Sequence, residues 1–108
     1  MELDDNHFDR LTKRETLPAV VDFWATWCGP CHAMAPAFAA AARELRYSHR
    51  FIKVDVDEAT ATARRFGILS IPTLVLLREG REVGRTSGVM RTPQLVSWVL
   101  STAQPSPT

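Results

Sequence analysis

Hydrophobic and polar positions along the chain follow two different periods, which predict alternating strands and helices. Residues 17–24 form a continuous apolar run that is rich in strand formers and too short for a helix, so they predict a buried strand. Between residues 30 and 47 the apolar positions recur at helical spacing, which predicts an amphipathic helix. Further strands are predicted at residues 51–56, 73–77 and 82–86, and further helices at residues 59–66 and 92–101.

Local signals mark where these elements end. Gly67 is placed to cap the C-terminus of the helix over residues 59–66. Thr92 is a natural N-cap, with Pro93 in the first helical position. The polar, proline-containing tail, residues 103–108, is expected to fray. The order β-α-β-α-β-β-α predicts a single α/β domain whose central mixed sheet has helices on both faces.

Size and charge narrow the classes of protein to which the chain can belong. With 108 residues it has room for one domain, and 13 basic against 12 acidic residues give a net charge of +1. No basic stripe stands out, so nucleic acid and membrane surfaces are poor partners. The acidic start lacks the apolar segment of a secretory signal, and no window has the roughly 18 apolar residues of a transmembrane helix. We therefore expect a cytoplasmic protein.

The two cysteines, Cys28 and Cys31, stand where the first predicted strand gives way to a helix. A spacing of three residues in the first helical turn brings both side chains to one face, at a separation that suits a disulfide. Structural disulfides are rare in the cytoplasm, so the pair indicates redox chemistry with no bound cofactor. At the helix N-terminus, unpaired N–H groups and the helix dipole favour a thiolate. Cys28 is therefore the candidate attacking thiol and Cys31 the candidate resolving thiol.

Other uses of the cysteines are weaker alternatives. A structural disulfide here would close a loop of only four residues, which stabilises a fold least. A zinc site needs four ligands, and the additional candidates His7, His32 and His49 do not have the spacing of a zinc finger. Gly29 and Pro30 place no cation between the cysteines, so the reduced form is not specially stabilised and the pair is expected to act as a reductant.

Two charged residues interrupt predicted buried strands. Asp22 stands within the apolar run of residues 17–24, and burial of an unpaired carboxylate is costly, so Asp22 is a candidate functional residue. The alternative is a hydrogen-bonded structural aspartate. Lys53 is likewise a charge in an apolar strand, and its alternative is a solvent-facing lysine that protects an edge strand.

Several of these residues together resemble a known family. Residues 24–31, Trp-Ala-Thr-Trp-Cys-Gly-Pro-Cys, with Pro36 and the later Ser70-Ile71-Pro72-Thr73, are similar to thioredoxins. The similarity runs from about residue 3 to residue 100. Residues 63–68 and Trp98 resemble the thioredoxin-2 branch, without the zinc-binding segment that this branch often carries. The resemblance implies a thioredoxin fold, reduction of disulfides in substrate proteins, and an NADPH-dependent thioredoxin reductase as electron donor.

The resemblance also implies roles for individual residues. Asp22 matches the family's buried aspartate, the proton acceptor for the resolving thiol, and Lys53 matches the lysine partner of that aspartate. An ordinary X–Pro bond would be expected to be trans, but the resemblance implies a cis bond before Pro72, beside the cysteines. Trp24 is expected to be core packing. The implied substrate-binding residues are Trp27, Gly29, Pro30, Ile71, Pro72 and Gly88.

Three features depart from the family pattern. Ser70 stands where many thioredoxins have glycine, and His32 where lysine or arginine is common. The first strand is shortened to about residues 1–3, before a turn at residues 5–8, so it would cover the edge of the strand over residues 51–56 only briefly. Two alternatives stay open, a thioredoxin-fold binding module or chaperone subunit and a metal-binding protein. We expect a monomer.

Overall fold

Four strands and three helices span residues 19–102 in a computed structural model, which describes residues 2–6, 8 and 17–102. All seven predicted elements are present, with ends that shift by at most three residues. The strands are β1 (Ala19–Trp24), β2 (Arg50–Asp55), β3 (Thr73–Arg78) and β4 (Arg81–Ser87). The helices are α1 (Gly29–Glu44), α2 (Thr60–Arg65) and α3 (Thr92–Thr102).

The strands form one mixed sheet in the order β2-β1-β3-β4. β1 pairs with β2 in parallel, which requires the crossover that α1 supplies, and it pairs with β3 antiparallel. β3 and β4 are joined by a tight turn in which Glu79 has φ 53° and Gly80 has φ 79°. Positive φ at both central residues is the type I′ geometry that suits the twist of a hairpin. The predicted mixed sheet is confirmed.

Alternation along β1 divides the core between the two faces of the sheet. Ala19, Val21 and Phe23 pack in one cluster with Ala63 and Phe66 of the α2 region. Val20 packs in the other cluster, with buried residues of α1 and α3. Helices therefore cover both faces, as predicted. The same alternation places the second residue after Val20, the aspartate of this strand, on the face that α1 and α3 cover.

Two helix starts differ by one position from the prediction. Cys28 is the N-cap of α1, so Pro30 is the second helical residue rather than the first. α3 begins at Thr92 itself, which was predicted to be the N-cap. The residue before it, Arg91, donates its N–H to Oε1 of Gln94 at 3.0 Å. The Gln94 side chain thus satisfies the backbone N–H of Arg91, the residue before the helix. Arg91 therefore occupies the N-cap position, and Thr92 is the first helical residue.

The C-terminus of α2 is closed as the sequence predicts. Gly67 has φ 61° and donates its N–H to the Arg64 carbonyl at 3.0 Å, while Ile68 donates to the Ala63 carbonyl at 3.1 Å. These are the two bonds of a Schellman motif, which requires a left-handed residue at the position of Gly67. The motif turns the chain from α2 into the loop that leads to β3.

The N-terminus of α2 is capped by a side chain from far away in the sequence. The Asp5 carboxylate accepts hydrogen bonds from the Thr62 N–H (2.8 Å), the Thr62 hydroxyl (2.6 Å) and the Ala61 N–H (3.2 Å). The bonds from Thr62 hold the pKa of Asp5 below its ordinary value. Asp5 therefore satisfies the N–H groups that a helix start leaves unpaired.

The segment before β1 pairs with the backbone of the sheet at one point in its described part. Glu2 forms a single parallel bridge with Lys53 of β2, and Leu3 donates its N–H to the Lys53 carbonyl at 3.1 Å. The shortened first strand is thus confirmed as a bridge, while the predicted turn over residues 5–8 is helical at its described positions. Three predicted features lie outside the described residues, namely Met1 of that strand, His7 and the tail over residues 103–108.

Candidate active site

The two cysteines form a disulfide at the N-terminus of α1. Their Cα atoms are 5.3 Å apart, and both side chains are buried. Cys28 has extended backbone angles as the N-cap, and its Sγ accepts the Cys31 N–H at 3.2 Å. An N–H of the first helical turn therefore points towards the sulfur of Cys28, which agrees with the prediction that Cys28 is the attacking thiol.

A cis peptide bond precedes Pro72 and brings the chain back to the disulfide. The Cys28 Sγ lies 3.9 Å from the Ile71 carbonyl oxygen. The carbonyl of Pro72, the residue after the cis bond, accepts the N–H of Gly88 at 3.0 Å. Gly88 has φ 97°, and a Cβ added there would meet no atom within 4 Å. The positive φ of Gly88 explains the glycine at this position.

An apolar groove runs beside the disulfide. It is an open space of about 410 Å³, and the exposed fraction of its wall residues Trp27 and Leu69 is 69% and 98%. The residues that line it are Trp27, Val56, Ile68, Leu69, Ser70 and Ile71. The sequence predicted Trp27 and Ile71 here but missed Val56, Ile68 and Leu69. The loop from Ile68 onward follows the Gly67 cap directly, which is the sequence signal that could have located these residues.

The exposed Trp27 ring is held by a hydrogen bond. Its Nε1 donates to Oδ2 of Asp57 at 2.7 Å, across 30 positions of sequence. Asp57 lies two residues after the end of β2, and its own N–H donates to Oδ1 of Asp55 at 2.9 Å. Sequence reasoning did not find Asp57, because no local pattern indicates which distant acid an indole reaches.

Asp22 is the most deeply buried carboxylate near this end of the sheet. Its side chain is 1% exposed, and its Oδ1 has no hydrogen-bond partner among the described residues. It pairs in register with Lys53 on one side and with Leu74 on the other. Burial raises the pKa of Asp22 from 3.8 to about 6, and the positive charge of Lys53 opposes part of this rise.

Lys53 lies beside Asp22 on the same face of the sheet. Its ammonium group stands 4.2 Å from the centroid of the Trp24 ring, a cation–π contact. Lys53 is partly buried and lies on β2, an edge strand of the sheet, so the alternative of a solvent-facing lysine that protects this edge stays open. Trp24 is also only partly buried, and its Nε1 donates to Oε2 of Glu2 at 3.0 Å. Trp24 packs against the buried cluster of Ala25, Cys28 and Cys31, as expected of a core residue, and it makes this hydrogen bond in addition.

The remaining candidates lie where the sequence placed them. Gly29 and Pro30 are exposed at the start of α1, and a Cβ added at Gly29 would meet no atom within 4 Å. His32 is exposed, and its Nε2 lies 2.7 Å from the Thr26 carbonyl. In the described part of the chain, no three His, Cys, Asp or Glu side chains are grouped so that they could hold a metal ion.

Comparison with known proteins assigns this arrangement to a family. The family model for thioredoxin matches residues 1–101. The chain belongs to the thioredoxin family. Thioredoxin C-3 of Corynebacterium nephridii is 40% identical over 99 residues, which cover 92% of this chain and 68% of that protein. The thioredoxin of Haemophilus influenzae is 34% identical over 99 residues, 92% of both chains.

Family membership and the disulfide together define the chemistry. Thioredoxins are disulfide oxidoreductases, and the pair at the start of α1 has the spacing of their redox-active cysteines. The protein is therefore a thiol–disulfide oxidoreductase. Resemblance to the thioredoxin-2 branch stays a prediction. No helix among the described residues is long and apolar enough to cross a membrane.

Proposed function

We propose that the protein reduces disulfides in other proteins, with Cys28 as the attacking thiol and Cys31 as the resolving thiol. The observation that carries this assignment is the position of Cys28 as N-cap of α1, with the Cys31 N–H directed at its Sγ. In the reduced protein the same N–H and the helix dipole stabilise a thiolate on Cys28.

Two exchange steps complete the reaction. The Cys28 thiolate attacks one sulfur of the substrate disulfide, which forms a mixed disulfide and releases the other substrate sulfur as a thiolate that takes up a proton. Cys31 then loses its proton and attacks the Cys28 Sγ, which forms the Cys28–Cys31 disulfide and releases the second substrate sulfur as a thiolate, which is then protonated. The substrate gains two electrons, and the protein loses two.

Asp22 is the proposed acceptor of the Cys31 proton. A carboxyl with a pKa raised to about 6 by burial is ionised at neutral pH and is a stronger base than an exposed aspartate. Lys53 limits the rise in pKa and so keeps Asp22 ionised in the cell. Both residues lie on the face of the sheet that α1 covers, with Asp22 buried and Lys53 partly buried.

The apolar groove and the cis-proline loop are the proposed substrate-binding surface. Trp27 and Ile71 line the groove, and Gly88 donates its N–H to the carbonyl of Pro72, which follows Ile71 in the chain. Gly29 and Pro30 are exposed between the two cysteines, and Gly29 presents no side chain to an approaching substrate. An extended substrate segment can then form hydrogen bonds with the protein backbone next to the Cys28–Cys31 disulfide.

The remaining assignments follow from the family. We propose disulfide-containing proteins as substrates, an NADPH-dependent thioredoxin reductase as electron donor, no bound cofactor beyond the Cys28–Cys31 disulfide, and a cytoplasmic, monomeric protein of one domain over residues 1–108. Consumption of NADPH during insulin reduction, with a thioredoxin reductase present, tests the donor and the activity together.

Trapping experiments test the roles of the two cysteines. Cys31→Ser should accumulate mixed disulfides with substrate proteins, because the attacking thiol remains and the resolving thiol is gone. The matched variant Cys28→Ser should accumulate none. Trapping by Cys28→Ser alone would reverse the assignment. A binding module or chaperone subunit would instead keep its activity when both cysteines are replaced by serine.

A further inference from the structure

A chain of contacts links the N-terminal segment to the buried carboxylate. Glu2 is bridged to β2 at Lys53, and its carboxylate accepts the Trp24 indole N–H at 3.0 Å. The Trp24 ring in turn contacts the Lys53 ammonium, which lies 4.2 Å from the ring centroid. Lys53 pairs in register with Asp22, which lies two residues before Trp24 on the same strand face.

The cation–π contact with the Trp24 indole sets the position of the Lys53 ammonium. A lysine on an edge strand has a flexible stem, and its ammonium group ordinarily reaches for water. Here the stem starts beside Asp22, and the ammonium is retained over the Trp24 ring, which also packs against the cluster formed by Ala25 and the cysteines. The indole keeps this position through its bond to Glu2 and its edge contact with the His32 ring, at a centroid distance of 6.0 Å.

We propose that Glu2 is a positioning residue, whose carboxylate fixes the Trp24 indole and thereby holds the Lys53 ammonium over that ring, on the face of the sheet that Asp22 shares. This role rests on the proposed function of Asp22, but the geometry can be tested independently of activity. Glu2 does not touch the cysteines, and it acts through Trp24. Among the described residues, the charged and titratable groups around the indole are Glu2 and Asp4 from the N-terminal segment, Lys53 and Asp55 from β2, Glu58 from the following turn, and His32 from α1.

Three variants separate position from charge. Glu2→Ala removes the acceptor and the charge, whereas Glu2→Gln removes the charge but keeps an acceptor for the indole N–H. Glu58→Gln removes a carboxylate from the same pocket wall without a bond to Trp24, so it is the matched control for charge. Loss of a negative charge alone should lower the pKa of Asp22, while release of Lys53 should raise it. The two explanations therefore predict opposite signs.

The measurement is the titration of the Asp22 side-chain carboxyl by carbon NMR in the oxidised protein, where the cysteines do not titrate. We expect Glu2→Ala to raise the titration midpoint by about half a pH unit and to shift the Trp24 indole resonance. Glu2→Gln should restore both readings to near the wild-type values. A downward shift in Glu2→Ala that Glu2→Gln and Glu58→Gln share would overturn the proposal in favour of a charge effect. An unchanged midpoint in Glu2→Ala would overturn it as well.

The pH dependence of substrate reduction connects this result to the activity. If Asp22 is the proton acceptor, the pH profile of reduction by Glu2→Ala should move in the same direction as the NMR midpoint. A moved midpoint with an unmoved profile would leave Glu2 as the positioning residue and remove the proton-acceptor role of Asp22. Failure of the proposed function and failure of this inference thus give different results.

Discussion

Ionisation of Asp22 should make the stability of the folded protein depend on pH. The pKa of Asp22 is raised in the folded protein from 3.8 to about 6, because the carboxyl is buried with one oxygen unpartnered among the described residues. The protonated form is therefore favoured by folding. The stability that this contributes is fully present below pH 3.8 and is lost as the pH rises through about 6. About two pKa units correspond to ~3 kcal/mol of unfolding free energy.

Asp22→Asn isolates this contribution, because asparagine has nearly the same volume and does not ionise. The unfolding free energy of the oxidised variant minus that of the wild type should rise by ~3 kcal/mol between pH 3 and pH 7.5, then level off. Any constant cost of the buried amide shifts the whole curve but not its slope with pH. Urea denaturation at a series of pH values measures both proteins.

A matched variant shows whether the effect belongs to the buried site. Glu58→Gln removes an exposed carboxylate. Its unfolding free energy shows how much pH dependence the loss of any carboxylate causes. If the Asp22→Asn difference stays flat within ~0.5 kcal/mol from pH 3 to pH 7.5, burial does not disfavour the charge, and the reasoning from desolvation is refuted.

Three further predictions concern other parts of the molecule. Pro30→His places a cation beside the cysteines, so equilibration with glutathione should show a more oxidising protein; a shift towards a more reducing potential would contradict the electrostatic explanation. Asp5→Ala should lower the urea midpoint through the loss of the α2 cap, and by more at pH 7 than at pH 3, because the pKa of Asp5 is lowered in the folded state. Hydrogen exchange in a dilute monomeric sample should be fast for some amides between residues 52 and 56, since the described N-terminal segment bridges β2 only at Lys53; uniformly slow exchange would remove the idea of an exposed edge.

The sequence was most informative where a residue broke a local pattern. The cysteine spacing at a strand-to-helix boundary located the redox pair, and a carboxylate in an apolar run identified Asp22 as buried. Gly67 was recognised because a helix C-terminus needs a left-handed residue. In each case the physical requirement lies within one turn or one strand, so the sequence alone can express it.

Contacts between distant segments were beyond this kind of reasoning. The bonds of Trp27 to Asp57 and of Trp24 to Glu2 join residues 30 and 22 positions apart, and exposed acids carry no local mark of their partner. The cis bond before Pro72 is a different case, because the residues alone favour trans and only the family resemblance predicted cis. The N-cap of α3 was misplaced by one residue, since the side chain of Gln94 was not considered.

The type I′ turn between β3 and β4 lies far from the reacting groups. Asp22, both cysteines and Lys53 all lie in the contiguous unit β1–α1–β2, and β3 starts next to Pro72 and ends at the turn. Six strand residues place the turn about 20 Å from that start. The chain could therefore be opened at Glu79–Gly80 for a circular permutation, or a reporter peptide inserted there, with the reacting groups still on one uninterrupted segment.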